Sequence, residues 1–293
     1  MPLSHLLLAL SVVFIWGTNF VVIKWGLAEL PPFLFATLRF VLSALPWVFL
    51  FRRPAVPWSA MARVGILLGV GQFGLLYWAM RQDISPGVAS LVVQSQVFFT
   101  ILMSMILSGE RMRPLQAAAL ALATAGYGVV AWHGATDPGA AVTLFGLALV
   151  LAAGFSWACA NMVMRGVGRV NMVAFTAWSS LFAIVPLALI SLAVEGPARM
   201  AHALAHASMA AWLAVAWQAL GNTVFAFGVW GWLLARHPAV TITPLALLVP
   251  VFGILASAVL LAEPLPFWKL GAAGLVLAGL SLNVYASRRG GRR

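Results

Sequence analysis

The side chains best suited to chemistry in this sequence are amides and aromatic rings that interrupt long apolar runs. Trp16, Asn19 and Phe20 share one helical face through their three-to-four spacing, and Trp157 and Asn161 repeat that arrangement in the second half. Amides can hydrogen-bond the carboxylate and the ammonium group of a zwitterion, and an aromatic face attracts a cation. The pattern predicts a binding cavity for a small zwitterion with an apolar side chain rather than a catalytic centre.

Other apolar runs carry residues of the same types, and a second interpretation stays open for all of them. Tryptophans can pack neighbouring helices and amides can bridge them, while Tyr77 and tryptophans near the ends of runs can anchor at a membrane interface. Gln94 and Gln96 point to opposite sides of a regular helix, so we expect one of them to bond a neighbour instead of facing the cavity. The predicted substrate-cavity residues are Trp16, Asn19, Phe20, Gln72, Tyr77, Trp78, Gln94, Trp157, Asn161, Trp217, Asn222 and Phe225.

Titratable groups occupy the ends of the apolar runs or the segments between them. All six acids and all five histidines lie there, whereas a proton-coupled carrier usually holds a carboxylate or histidine within the membrane. We therefore expect facilitated transport, or coupling through groups at the cavity mouths. No cofactor and no metal site are expected, because the acids are dispersed without ligand spacing and Cys159 is the single cysteine.

Arg39 is the one cation that lies clearly inside an apolar run. Such an arginine can bind a substrate carboxylate. It can also extend its long side chain toward the membrane surface and pair with backbone carbonyls, and we favour this second interpretation.

Composition excludes a water-soluble protein. The chain has 293 residues, of which 63% are hydrophobic and 8% are charged, whereas a soluble domain is about half apolar and a quarter charged. Apolar surface must therefore contact a lipid bilayer. The formal net charge of +11 does not indicate nucleic-acid binding, because the bases are scattered between apolar runs, where they fit loops that fix membrane topology.

The elements that position these residues are membrane-spanning helices, each of which needs roughly 20 mostly apolar residues. Charged or Gly- and Pro-marked breaks separate ten such runs, joined by short connections. The predicted spans are 4–24, 33–51, 62–80, 86–108, 114–132, 143–164, 172–194, 209–234, 239–261 and 266–286.

Basic residues orient the ten spans. Twelve lie on the side that holds both termini and four (Lys24, Arg81, Arg199 and Lys269) lie on the other. Cytoplasmic loops carry the excess of lysine and arginine. We therefore expect a multi-pass inner-membrane protein with cytoplasmic N- and C-termini.

The sequence repeats itself weakly. Phe14, Trp16 and Lys24 match Phe155, Trp157 and Arg165 at an offset of 141, and Glu110 matches Glu263 at an offset of 153. Two five-helix units, 1–138 and 139–293, follow from these matches, and an odd number of spans inverts the second unit. The fold predicted is an all-α membrane protein whose ten transmembrane helices form two inverted five-helix repeats. A duplication without transport remains the alternative.

Several short motifs carry a family resemblance. They are Trp16-Gly17-Thr18-Asn19-Phe20 followed by Lys24, a glutamate that closes the fourth and ninth spans (Glu110, Glu263), and Pro250-Val-Phe. The chain resembles the EamA-type drug/metabolite transporters and is most similar to the bacterial aromatic amino-acid exporters. Gln96 departs from the pattern, since it stands where the first-half counterpart of Pro250 is expected.

The resemblance implies export of aromatic and other neutral amino acids and of similar small metabolites. Inverted repeats favour alternating access around a central cavity, in a protein that we expect to be monomeric and not an enzyme. Two alternatives are an integral-membrane enzyme and a lipid-metabolite flippase. A channel is disfavoured, because no glycine-rich or charged filter sequence is present.

Overall fold

The computed structural model describes residues 1–108, 112–168 and 170–290. Helices make up nearly all of this part of the chain, and its only β pairing is an isolated bridge between Ile84 and Val142. The all-α fold class is therefore confirmed. Spans 1 to 10, in chain order, are Leu3–Leu27, Pro32–Val48, Trp58–Gln82, Pro86–Val92 with Ser95–Ser108, Pro114–Thr136, Leu144–Arg165, Met172–Val194, Met209–Arg236, Ala239–Ile242 with Thr243–Leu247 and Leu248–Leu261, and Phe267–Gly290.

Within the described ranges, nine helices are long and apolar enough to cross a membrane, and span 2 is a shorter apolar helix of 17 residues. The predicted bounds of all ten agree with these to within four residues. Proline at the first turn fixes several starts (Pro32, Pro86, Pro114), because its missing N–H has no partner there anyway. The chain is thus a multi-pass membrane protein.

A short helix in the connection between spans 7 and 8 is absent from the sequence prediction. It covers Pro197–His206 and is too short and too polar to cross a membrane. Arg199, His202 and His206 recur on one face at helical spacing, and Ala203 on the same face is buried. We call it the connecting helix.

Four spans depart from regular α-helix, which the apolar pattern did not predict. Spans 3 and 8 contain π-helical segments, Leu67–Gly74 and Trp217–Phe225. Span 4 is interrupted at Val93 and Gln94, and span 9 contains a 3₁₀ segment at Thr243–Leu247, where Pro244 lacks the N–H that a regular helix needs. Such irregular turns are frequent at functional sites.

Small residues bring pairs of spans into close contact. A Cβ on Gly126 would lie 2.9 Å from the carbonyl oxygen of Ala272, and one on Gly279 would lie 2.6 Å from that of Ala119, so spans 5 and 10 meet through glycines on both sides. In the same way a Cβ on Gly17 in span 1 would lie 2.7 Å from the carbonyl oxygen of Val249 in span 9. Close backbone approach is how helices associate in lipid.

Candidate functional site

A buried polar cluster lies where spans 1, 2, 3 and 8 meet. Arg39 in span 2 is 1% exposed. Its Nη1 donates to the hydroxyl of Tyr77 at 3.2 Å, and its Nη2 donates to the hydroxyl of Thr223 at 3.0 Å. These three spans are therefore joined through one guanidinium group.

Gln218 completes this cluster and extends it to span 1. The hydroxyl of Tyr77 donates to its side-chain carbonyl at 2.9 Å, and that of Thr223 donates to its backbone carbonyl at 2.9 Å. Its amide nitrogen donates to Oδ1 of Asn19 at 2.7 Å. We call Arg39, Tyr77, Gln218, Thr223 and Asn19 the Arg39 cluster.

Both π-helical segments contribute to the surroundings of Arg39. Gln218 and Thr223 lie within Trp217–Phe225, and Tyr77 follows the end of Leu67–Gly74 by one turn. The guanidinium carbon lies 3.5 Å from the centre of the Phe73 ring, which belongs to the first π segment. The two irregular segments thus converge on a single cation.

Every partner of Arg39 is electrically neutral. Within the described residues, the only salt bridge joins Lys269 to Glu263, so Arg39 has no carboxylate partner there. Its Nε is buried without a hydrogen-bond partner, while the rings of Phe73 and Phe40 supply cation–π contacts. The cluster therefore holds a net positive charge in an apolar interior.

The favoured sequence interpretation of Arg39 was wrong. Its side chain does not extend to the membrane surface, and its hydrogen bonds go to two hydroxyl groups rather than to backbone carbonyls. The reason is that spans 3 and 8 place the hydroxyls of Tyr77 and Thr223 within hydrogen-bonding distance of Arg39 inside the helix bundle. The pattern of a single span does not reveal this contact between spans. Arg39, Gln218 and Thr223 were all missing from the predicted cavity set.

Several predicted residues do lie in or beside the cluster. Asn19 and Tyr77 are members, and Asn222 is buried next to it, where its backbone carbonyl accepts from Nε1 of Trp16 at 3.4 Å. The Trp16 ring contacts Phe227 and Trp230 of span 8. The predicted residues Phe20 and Gln72 are buried, and the Trp78 ring stacks on Phe33.

The second-half amide forms a separate group. Nδ2 of Asn161 donates to Oε1 of Gln96 at 2.9 Å and to the hydroxyl of Thr100 at 3.2 Å. Trp157 packs against the hydrophobic core, and Gln94 sits in the interruption of span 4 with 8% exposure. The structure therefore joins Asn161 to span 4, whereas Asn19 is joined to span 8.

Two predicted residues of span 8 have other surroundings. Phe225 is 42% exposed. Trp217 covers Gly221, and its Nε1 is buried without a hydrogen-bond partner. Neither side chain is a hydrogen-bond or cation–π partner of Arg39.

A second polar cluster lies where span 9 leads into span 10. Glu263 accepts from Nζ of Lys269 at 2.7 Å, from the backbone N–H of Gly87 at 3.1 Å, and from the hydroxyls of Ser85 and Ser257. We call these five residues the Glu263 cluster. Burial opposes ionisation of the carboxyl, but the hydrogen bonds from Lys269, Ser257 and Ser85 outweigh it and lower the pKa of Glu263.

The remaining described acids also lie at helix ends, as predicted. Glu195 follows span 7 and accepts the backbone N–H groups of Phe33 and Leu34 at 2.7 and 3.0 Å, which caps the start of span 2. Glu29 accepts from the backbone N–H and the hydroxyl of Ser208. Glu110 lies outside the described residues, so its predicted equivalence to Glu263 stays a prediction.

The ten apolar helices and the buried polar cluster between them define a polytopic membrane protein of the transporter class. Residues 3–132 and 144–285 match the model of the EamA-like transporter family, and the chain belongs to that family. This confirms the resemblance drawn from the short motifs of spans 1, 4 and 9.

Related proteins match nearly the whole chain. A protein of Salmonella typhimurium named "probable amino-acid metabolite efflux pump" is 40% identical over 285 residues, which cover 96% of this chain and 95% of its own length. A protein of Escherichia coli with the same name is 39% identical over the same extent. One solved crystal structure, 21% identical, superposes with a TM-score of 0.64 over 99% of both chains, which shows a shared fold.

Proposed function

We propose that this chain exports neutral amino acids, aromatic ones included, and similar small metabolites across the bacterial inner membrane, and that Arg39 binds the substrate carboxylate. The observation that carries the proposal is a guanidinium group that is 1% exposed and has no carboxylate partner among the described residues. The names of the two efflux-pump relatives support the substrate class.

The charge of Arg39 explains why a carboxylate suits this place. Arginine stays protonated in proteins, and a charge buried in the membrane without a counter-ion costs several kcal/mol by general estimates, roughly 3 or more. A carboxylate would match the paired N–H groups of the guanidinium and cancel its charge. A substrate without an anionic group gains neither interaction.

The surroundings of the cluster suit the rest of an amino acid. The side-chain amides of Asn19 and Gln218 can accept from an ammonium group, and the ring of Trp16 offers it an aromatic face. Phe73 and Phe40 already line the guanidinium. The rings of Phe73 and Phe40 suit an apolar or aromatic side chain of the substrate.

Alternating access between two inverted units, 1–138 and 139–293, is the proposed mechanism. Matching irregularities support it, because spans 3 and 8 both contain π segments while spans 4 and 9 are both broken near their starts. Two separate matches to the same family model support the division. Cytoplasmic termini and facilitated transport of a monomer complete the proposal, in which no chemical step on the substrate takes place.

Counterflow by the purified protein in liposomes tests the function. Liposomes preloaded with unlabelled threonine, methionine or phenylalanine should take up the same labelled amino acid faster than protein-free liposomes. A diamine, which carries no carboxylate, is the control substrate and should give no counterflow. Absence of counterflow for all three amino acids would contradict the proposed function.

A further inference from the structure

A cavity of about 390 Å³ opens at the end of spans 1 and 3 that lies away from the chain termini. We call it the vestibule. Its walls come from the link between spans 1 and 2, from the end of span 3 and from the connecting helix. The charged and polar side chains among its lining residues are those of Glu29, Arg81, Arg199 and His202.

The two arginines of the vestibule stand out among the bases on this side of the molecule. Lys24 donates to the carbonyls of Met80 and Arg81, and Lys269 is paired with Glu263. The other two bases that the sequence places on this side, Arg81 and Arg199, both line the vestibule, and neither side chain donates a hydrogen bond to a described residue. Lysine and arginine are less frequent in loops outside the cytoplasm. The presence of both arginines at one cavity therefore requires an explanation.

The one acid among the lining residues of the vestibule forms no salt bridge with either arginine. Both oxygens of Glu29 accept from Ser208, at 2.7 Å each, and these hydrogen bonds lower the pKa of Glu29. The carboxylate thereby caps the start of span 8 at Ser208. Two guanidinium groups and one carboxylate therefore line a cavity large enough for an amino acid, which leaves the cavity with a net positive charge.

The vestibule lies in line with the Arg39 cluster. Arg81 follows Tyr77 by four residues in span 3, and Leu27 follows Asn19 by eight residues in span 1. At 1.5 Å of rise per residue, these separations are about 6 Å and 12 Å along the helices. Ile23, Ala79 and Met80 occupy the intervening positions and are buried, so apolar packing separates the two places in this conformation.

From these observations we infer that the vestibule is a second carboxylate-binding site, in which Arg81 and Arg199 receive the amino acid after it leaves Arg39 on the outward path. This inference rests on the proposed function. Its ligand chemistry is a small anionic oxygen group, which an amino-acid carboxylate or the phosphate of a lipid headgroup can supply. We assign the site to the amino acid, because the same helix faces lead to it from the Arg39 cluster.

Sided transport kinetics test the inference with the double variant Arg81→Gln/Arg199→Gln. Exchange of labelled phenylalanine is measured in right-side-out and in inverted membrane vesicles. We expect the half-saturation concentration at the outer face to rise about tenfold, as the loss of roughly 1.4 kcal/mol of binding predicts, while the value at the inner face stays at the wild-type level. Arg63→Gln is the matched control, because Arg63 lies at the start of span 3, at the other end from Arg81, and bonds the carbonyl of Ser59.

The outcomes separate the two proposals and the two ligand sources. If wild-type vesicles exchange phenylalanine and the double variant keeps the wild-type outer half-saturation, the vestibule inference is wrong and the proposed function stands. If wild-type protein transports no amino acid, the proposed function itself fails. The measurement is repeated in liposomes of phosphatidylcholine with and without phosphatidylglycerol, and a difference that appears only with the anionic lipid would overturn the assignment to the amino acid.

Discussion

The Arg39 cluster and the Glu263 cluster both bury a charge, but only one of them pairs it. Glu263 meets Lys269 at 2.7 Å and also accepts from a backbone N–H and two serine hydroxyls. Arg39 meets two hydroxyls and an aromatic ring, none of which carries charge. The first cluster pairs its charge within the chain, whereas no carboxylate among the described residues pairs with Arg39.

This difference assigns the two clusters different tasks. The Glu263 cluster joins the end of span 9 to the start of span 4 and to span 10, so it stabilises the arrangement of the helices. The Arg39 cluster joins spans through neutral groups, which in the proposed function exchange partners when a carboxylate binds. Charge pairing, rather than burial, separates the Glu263 cluster from the Arg39 cluster, to which we assign substrate binding.

Removing the Glu263 carboxylate, which is paired with Lys269, should have the largest effect, a loss of folding stability. Glu263→Ala leaves Lys269, which is 2% exposed, without its counter-ion, and breaking a buried pair costs about 3 kcal/mol or more. We expect a lower free energy of unfolding and a much reduced yield of folded protein. Denaturant unfolding in detergent measures this, with Asp83→Ala as the matched control, since the Asp83 carboxylate accepts an exposed hydrogen bond from the Thr143 hydroxyl. Equal stability of the two variants would contradict a structural task for the Glu263 cluster.

Removing the unpaired cation should affect transport instead of folding. Arg39→Gln keeps a hydrogen-bond donor near Tyr77 and Thr223 but removes the charge. We expect kcat/KM for phenylalanine counterflow to fall about tenfold to hundredfold, since hydrogen bonds to charged groups contribute roughly 1.5–3 kcal/mol. Unfolding and transport are measured on the same preparation. A variant that loses folding in parallel with transport would place Arg39 in the same structural class as Glu263.

A smaller effect should follow from removal of the hydroxyl that links Arg39 to Gln218. Tyr77→Phe loses one hydrogen bond on each side, worth about 1 kcal/mol, and leaves the guanidinium less firmly oriented. We expect a severalfold rise in the KM for phenylalanine. Tyr127→Phe is the matched control, because the Tyr127 hydroxyl is buried without a hydrogen-bond partner. Similar KM values for the two variants would mean that Tyr77 does not position Arg39.

The smallest expected effect is a change in how folding stability depends on pH. It arises from a third contact, between the start of span 1 and the link that precedes span 9. Nδ1 of His5 lies 2.7 Å from Nε2 of His237, and desolvation, then His5, the chain's amino terminus and Arg236, lower the pKa of His237. The folded state therefore binds fewer protons here than the unfolded state, so this stabilising contribution is present above about pH 6.5 and is lost as the pH falls below it.

Thermal unfolding at pH 7.5 and pH 5.5 measures that contribution. The wild type should lose slightly more stability on acidification than His237→Gln does, and His206→Gln should behave like the wild type. The pairing at Glu263 would be lost only at lower pH, because its folded-state pKa lies below that of a free carboxyl group. Identical pH responses of the three proteins would exclude the histidine contact as a source of stability.

The sequence alone predicted the spans because ten apolar runs of membrane length leave little choice of helix bounds. It also placed the acids at helix ends, where Glu195 and Glu29 now cap the starts of spans 2 and 8. Asn19 and Tyr77, which the sequence predicted as substrate-cavity residues, are buried in the Arg39 cluster, and their contact with a substrate stays a prediction. Each of these features depends on one segment of the chain.

The composition of the Arg39 cluster could not be predicted, because it depends on how four spans meet. Gln218 looks unremarkable in its own helix and gains its role from Tyr77 and Asn19. The π segments depend on the same contacts, since a local sequence of apolar and small residues does not require an extra residue per turn. Partners across spans, rather than patterns within them, decide the site.

Competition by a substrate analogue that lacks only the negative charge tests the central claim most directly. Labelled phenylalanine counterflow is measured in the presence of unlabelled phenylalanine or unlabelled phenylalaninamide, whose uncharged amide replaces the carboxylate. If Arg39 binds the carboxylate, the amide should compete at least about tenfold more weakly with the wild type, and this preference should vanish in the residual activity of Arg39→Gln. Equal competition by the two compounds in the wild type would contradict carboxylate binding at Arg39.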